Sequence, residues 1–164
     1  MPKPALHTLA PVIGGSYTSE ASLTLSHLRG QKVVLYFYPK DDTPGCTTQA
    51  CALRDSWSQI TKRALLFGIS TDPIKRHAKF IEKYTLPFPL IADPDLTLVN
   101  LYGVWVEKSL YGKKYLGTER TTFIISETGH LTTLLEKVKP ADHLEQVLAA
   151  LSPSSPPLGE SLLD

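Results

Sequence analysis

The stretch Val33-Val34-Leu35-Tyr36-Phe37-Tyr38-Pro39-Lys40-Asp41-Asp42-Thr43-Pro44-Gly45-Cys46-Thr47-Thr48-Gln49-Ala50-Cys51 decides the reading of this chain. Its first six residues are apolar, β-branched or aromatic without a polar interruption, which suits a strand buried on both faces, and Pro39 closes it. Thr43-Pro44 then reads as a helix N-cap followed by proline at the first helical position. From Cys46 the residues Ala50, Leu53, Trp57, Ile60 and Ala64 follow at spacings of four and three, so one stripe of a helix carries Cys46 toward the core. Cys51 is turned by about 140° from that stripe, among Asp55, Ser58 and Lys62.

Working outward, Leu65–Ile69 and Thr121–Ile125 repeat the strand character of residues 33–38. Helical patterns fall at about Gly45 to Arg63, Pro73 to Tyr84, Asp95 to Tyr102 and Ala141 to Leu151. Strands alternating with helices predict an α/β fold. Gly129-His130 reads as a turn into a further strand at Leu131–Val138, antiparallel to 121–126, and residues 104–117 as a hairpin turning at Tyr111-Gly112. After Leu151 the run Ser-Pro-Ser-Ser-Pro-Pro-Leu-Gly cannot continue a helix, so one domain over 1–151 and a flexible tail over 152–164 are expected.

With 164 residues the chain is long enough to bury a core without covalent staples. Lys+Arg 17 against Asp+Glu 16, with no basic run, disfavours nucleic acid as a partner. No segment reaches the roughly 20 apolar residues that cross a bilayer and none reads as a signal sequence, so the expectation is a cytoplasmic protein with no membrane association. In a reducing compartment two cysteines are more often catalytic, redox-active or metal-binding than structural. The five histidines, at 7, 27, 77, 130 and 143, lack zinc-ligand spacing, and no metal or organic cofactor is expected. Asp93 and Asp95 read as turn and helix-start residues.

Helix geometry sets the options for the two thiols. Positions i and i+5 of an unbroken helix lie roughly 8–9 Å apart at Cα, beyond the usual 4.4–6.8 Å of a disulfide. A static bond inside a formed helix is excluded; a switch between helix and disulfide, or no bond at all, remains. The first turn of a helix offers unpaired N–H groups and a positive dipole end, so a thiolate at Cys46 is stabilised there. Cys46 as an inert buried thiol, Thr43 as a cap and nothing more, and Pro39 as a strand end are the plain alternatives.

The segment from Phe37 to Cys51 closely resembles the active-site segment of the peroxiredoxins, in the Q branch also called bacterioferritin comigratory proteins. The Pro-x-x-x-Thr-x-x-Cys signature stands at Pro39, Thr43 and Cys46, with a second cysteine five residues on. Similarity continues through Gly103-Val104-Trp105, Glu107-Lys108, Tyr111-Gly112 and Gly117 to Ile125, and spans roughly residues 23 to 151. The resemblance implies a thioredoxin-like fold with a central mixed β-sheet flanked by helices. It implies that Cys46 is the peroxidatic and Cys51 the resolving cysteine, that they form an intramolecular disulfide, and that thioredoxin or a similar reductant restores them. Thr43 would hydrogen-bond the hydroperoxide, Pro39 shield the pocket and Arg120 complete it; spacing alone would leave Arg120 an ordinary exposed arginine. An intramolecular resolving thiol removes the need for a dimer, which favours a monomer.

The chain departs from the family pattern at three places: residues 7–11, Gln49 in place of the common Glu, and Val106 in place of Gly. Two other functions fit a cysteine pair. A thioredoxin-type thiol–disulfide oxidoreductase normally uses C-x-x-C, absent here, and a non-catalytic redox sensor would use the same disulfide to change a binding surface.

Overall fold

The computed structural model describes residues 2–11, 14–16, 22–24 and 30–152. In chain order the elements are β1 (Gly14–Ser16), β2 (Ser22–Thr24), β3 (Lys32–Phe37), α1 (Pro44–Asp55), α2 (Trp57–Thr61), β4 (Ala64–Ser70), α3 (Ile74–Tyr84), β5 (Leu90–Ala92), α4 (Thr97–Leu101), β6 (Trp105–Leu110), β7 (Lys113–Thr118), β8 (Thr121–Ile125), β9 (Leu131–Leu135) and α5 (His143–Leu151). The tail expected over 152–164 lies outside the described residues beyond Ser152.

The central sheet has the order β5-β4-β3-β8-β9. β3, β4 and β5 run parallel, while β8 is antiparallel to β3 and β9 to β8, so the sheet is mixed, as expected. The unbroken apolar run of β3 follows from its central place. Val33, Leu35 and Phe37 enter one core with Phe67, Ile69, Val99, Tyr102 and Phe123. Val34, Tyr36 and Tyr38 enter the other, with Cys46, Ala50, Leu53, Ile60, Phe80, Ile124 and Val147. Successive side chains of a strand point to opposite faces, so a strand covered on both sides is apolar at every position.

That second core positions the cysteine-bearing helix, because Cys46, Ala50 and Leu53 supply its buried face. The single helix expected over 45–63 is instead two. Ser56, at φ −113° and ψ 21°, interrupts it between α1 and α2. Just past the break Trp57 packs against Phe88, ring centroids 5.8 Å apart, while the Asp55 carboxylate accepts from Arg54 Nε at 2.9 Å.

The hairpin of β6 and β7 turns at Tyr111 and Gly112, φ 52° and 78°, the left-handed pair of a tight two-residue turn. β9 ends at Leu135, short of the expected Val138, whose N–H is instead donated to the Arg120 carbonyl at 2.9 Å. Near the amino end, Leu9 bridges His130 and β1 pairs antiparallel with β2, neither foreseen from composition. Among the described residues no helix is long and apolar enough to cross a membrane.

Candidate active site

The site is built where β3 runs out into α1. Tyr38 is still held to the sheet by its N–H on the Ile69 carbonyl at 3.0 Å, and Pro39, half-buried, turns the chain away. The next residues are anchored from below. Asp41, fully buried, accepts the Tyr38 hydroxyl at 2.5 Å on Oδ1 and contacts His77 Nδ1 at 2.6 Å through Oδ2. His77 Nε2 faces the Ile91 carbonyl at 2.9 Å, and a carbonyl only accepts, so that nitrogen carries a proton. Asp72 receives the Asp41 N–H at 2.8 Å and the Ser70 hydroxyl at 2.7 Å, and its other oxygen pairs with Arg76 Nε at 3.1 Å. These three side chains bring ligand-type atoms within 4.8 Å of one another, but every one of those atoms is already engaged in this network.

Thr43 is extended, φ −93° and ψ 156°, with Pro44 in the first helical turn and the Thr47 N–H on the Thr43 carbonyl at 2.8 Å. The helix therefore starts where the Thr-Pro pair places it. The capping role of the Thr43 side chain is not realised: its hydroxyl donates to the Lys40 carbonyl at 2.8 Å and makes no bond to the helix N–H groups. A hydroxyl that donates backward keeps lone pairs free to accept from a ligand in front of the helix.

Cys46 lies in the first turn, 1% exposed. Arg120 Nη1 approaches its Sγ at 3.2 Å and also donates to Gln49 Oε1 at 2.5 Å. Sequence spacing alone gave no reason to place Arg120 there; the connection between β7 and β8 does so. Two backbone bonds hold that connection: the Glu119 N–H on the Val104 carbonyl at 2.8 Å and the Val138 N–H on the Arg120 carbonyl at 2.9 Å. The guanidinium lies across Gly45, where an added Cβ would fall 2.6 Å from Nη2. Gly45 and Gln49 are thus parts of the site that the motif reading did not assign. Only steric proximity reveals the first, whereas the Gln in place of Glu had marked the second.

Further groups complete the electrostatics. Burial first, and the Arg120 charge second, lower the Lys108 ammonium. Burial and Arg120 likewise lower His143 to about 4, so this ring is neutral near pH 7. His143 Nε2 meets the Thr122 hydroxyl at 2.8 Å, and Nδ1 has no partner among the described residues. The tautomer with its proton on Nε2 leaves only a lone pair unpaired. Cys51 is half-buried, and both cysteines are free thiols. They sit on the uninterrupted helix Pro44–Asp55, so the i, i+5 separation stands and no disulfide fits without unwinding.

A cysteine at a helix start, a guanidinium on its sulfur and a second thiol five residues along is an arrangement suited to nucleophilic sulfur chemistry. Comparison with known proteins agrees. The family model of the AhpC/TSA family matches residues 8–133. The chain is 52% identical over 130 residues to the bcp protein of Coxiella burnetii, covering 79% of this chain and 86% of that one. It is 44% identical over 135 residues to peroxiredoxin Bcp of Bacillus subtilis, covering 82% and 86%. A solved structure of the Xanthomonas campestris bacterioferritin comigratory protein, studied for its alkyl peroxide reduction activity, superimposes with a TM-score of 0.80 at 39% identity over 85% of this chain and 89% of that one. The chain therefore belongs to the AhpC/TSA family, in its Bcp or peroxiredoxin Q branch.

Proposed function

We propose that this protein is a thiol peroxidase that reduces hydrogen peroxide and small organic hydroperoxides. One observation carries the reading: Cys46 Sγ lies 3.2 Å from Arg120 Nη1 in the first turn of α1, with the free Cys51 on the same helix. The Cys46 thiolate attacks one peroxide oxygen in line, the O–O bond breaks, and the leaving oxygen takes up a proton as water or alcohol. Arg120 faces the charge on sulfur and the charge that develops on the leaving oxygen. Thr43 receives the peroxide O–H on its free lone pairs, and Pro39 limits water above the sulfur.

The product is a sulfenic acid at Cys46. The Cys51 thiolate attacks that sulfur, the S–S bond forms, the S–O bond breaks, and hydroxide leaves to become water before further oxidation occurs. This step requires residues of about 44–52 to unwind, so the reduced form is the fully helical one. A dithiol protein of thioredoxin type restores the thiols. The site lies within one chain, which favours a monomer, and a reducing compartment such as the cytoplasm suits its thiols.

Peroxide consumption with thioredoxin and its reductase tests the reading. Wild type should cycle, Cys46→Ser should be inert, and Cys51→Ser should turn over once and stall until a small thiol is added. A wild type that consumes one equivalent and then stops despite active reductant would instead mark a redox sensor.

A further inference from the structure

If Cys46 and Cys51 can meet only when α1 unwinds, the contacts that keep α1 wound govern how long a sulfenic acid persists. The last residue of α3 makes such contacts at both ends of α1. The Tyr84 hydroxyl donates to Asp42 Oδ1 at 2.9 Å, immediately ahead of Thr43. The Tyr84 carbonyl, one of the carbonyls a helix end leaves unpaired, accepts Arg54 Nη1 at 2.7 Å from the last turn of α1. A single residue therefore spans the helix that carries both cysteines.

Neighbouring groups reinforce this clasp. Lys83 Nζ pairs with Asp42 Oδ2 at 2.8 Å and lies 5.3 Å from the centroid of the Tyr84 ring. Asp42 has φ 58°, a left-handed conformation that is strained for a residue with a Cβ, and these bonds to its carboxylate hold it there. The hydrogen bonds from Lys83 and Tyr84 also hold the Asp42 carboxyl below the usual range. The adjacent Asp41 is different in kind, since it is tied to Tyr38, His77 and Asp72 in the buried interior. The Asp41 side chain is thus fixed by buried bonds, whereas those of the Asp42 side chain to Lys83 and Tyr84 are exposed. Exposed ion pairs and hydrogen bonds open at low cost, so the ties of Asp42 yield more readily than those of Asp41.

We propose that Tyr84 is a positioning residue that keeps α1 helical in the reduced protein and sets the rate at which Cys51 resolves the Cys46 sulfenic acid. The proposal rests on the peroxidase reading above. The step it controls is the attack of the Cys51 thiolate on the sulfenic sulfur, with loss of hydroxide, and needs no oxidant beyond the peroxide already consumed. Weakening the clasp speeds resolution and protects Cys46 from sulfinic acid; strengthening it does the reverse.

Two variants of the full chain test it. Tyr84→Phe keeps the ring and removes the hydroxyl, while Asp42→Asn keeps a residue tolerant of the left-handed conformation and removes the charge that Lys83 meets. In reduced Tyr84→Phe, hydrogen exchange of amides 46–52 should be about fivefold faster, the effect of losing one hydrogen bond to a charged acceptor near the surface. With hydrogen peroxide, disulfide closure followed by acid quench and mass spectrometry should also be about fivefold faster. The peroxide dose that half-converts Cys46 to sulfinic acid should rise by a similar factor, while sulfenic acid forms at the wild-type rate within twofold. Added salt should speed closure in wild type and leave Asp42→Asn unaffected. Unchanged exchange and unchanged closure in Tyr84→Phe would overturn the proposal. If wild type consumes no peroxide, the peroxidase reading has failed, and the exchange arm still reports separately whether the clasp holds α1.

Discussion

Replacing Gly45 by alanine should slow peroxide attack without weakening the fold. A Cβ at this position would lie 2.6 Å from Arg120 Nη2, 3.4 Å from Arg120 Cζ and 3.2 Å from Pro140 Cγ. Ordinary contact begins near 3.4 Å, so the guanidinium has to withdraw by about 0.8 Å. It is the free end of a long side chain and can do so. Nη1 belongs to the same rigid plane, and its 3.2 Å contact with Cys46 Sγ and 2.5 Å bond to Gln49 are disturbed together. Misplacing a positioning group by about 1 Å costs on the order of a hundredfold in rate, so a fall of about ten- to a hundredfold is expected here. Stability should hold or rise by up to roughly 1 kcal/mol, since alanine is the better helix former. Stopped-flow fluorescence under excess hydrogen peroxide measures the rate, and thermal melting run in parallel measures the stability. A Gly45→Ala protein that reacts as fast as wild type would refute the placement of the guanidinium as the feature that prepares Cys46. One that is slow and also melts several degrees lower would show that the backbone, not Arg120, had yielded.

Removing the guanidinium altogether should be worse. Arg120→Met keeps the apolar stem but leaves Cys46 without its cation and the buried Gln49 carbonyl without its donor; a fall of about 10²- to 10³-fold in the same stopped-flow rate is expected, with Arg120→Lys between it and wild type. Stability should also fall in mild acid through His143, which is lowered to about 4 by burial and by Arg120, whereas the unfolded chain takes a proton below about 6.5. Its contribution is complete above pH 6.5 and is lost as the pH drops toward 4, amounting to roughly 3 kcal/mol at the lower end. Urea unfolding at pH 7 and pH 4.5 checks this, and His143→Asn should show a shallower slope between the two.

The parts of the fold that the sequence made legible are those where local chemistry and tertiary packing agree. β3 was readable because both of its faces are covered, so period and burial could not conflict. The turn at Tyr111-Gly112 was readable because a left-handed pair of residues leaves few choices, and the start of α1 because proline fits only the first helical turn. The break at Ser56 was not readable, since the apolar stripe continues through it to Ile60, and the contact of Trp57 with Phe88 beside it lies across the chain. Thr43 shows the same limit at the site: residue type named a cap, but the nearer Lys40 carbonyl took its hydroxyl. Contacts across long stretches of chain were out of reach of spacing arguments. Arg120 meets Cys46 across 74 residues and Tyr84 meets Asp42 across 42, and the sheet order that joins them is not written in any local motif.

The central claim is that Cys46, not Cys51, is the sulfur that takes the oxygen. One equivalent of hydrogen peroxide added to the reduced protein, followed by rapid quench with a sulfenic-acid trap and peptide mass spectrometry, tests it directly. In Cys51→Ser the trap should sit on Cys46, and in wild type the same dose should yield a peptide pair joined through Cys46 and Cys51. Trapped oxygen on Cys51 in wild type, or equal reactivity of Cys46→Ser, would contradict the account.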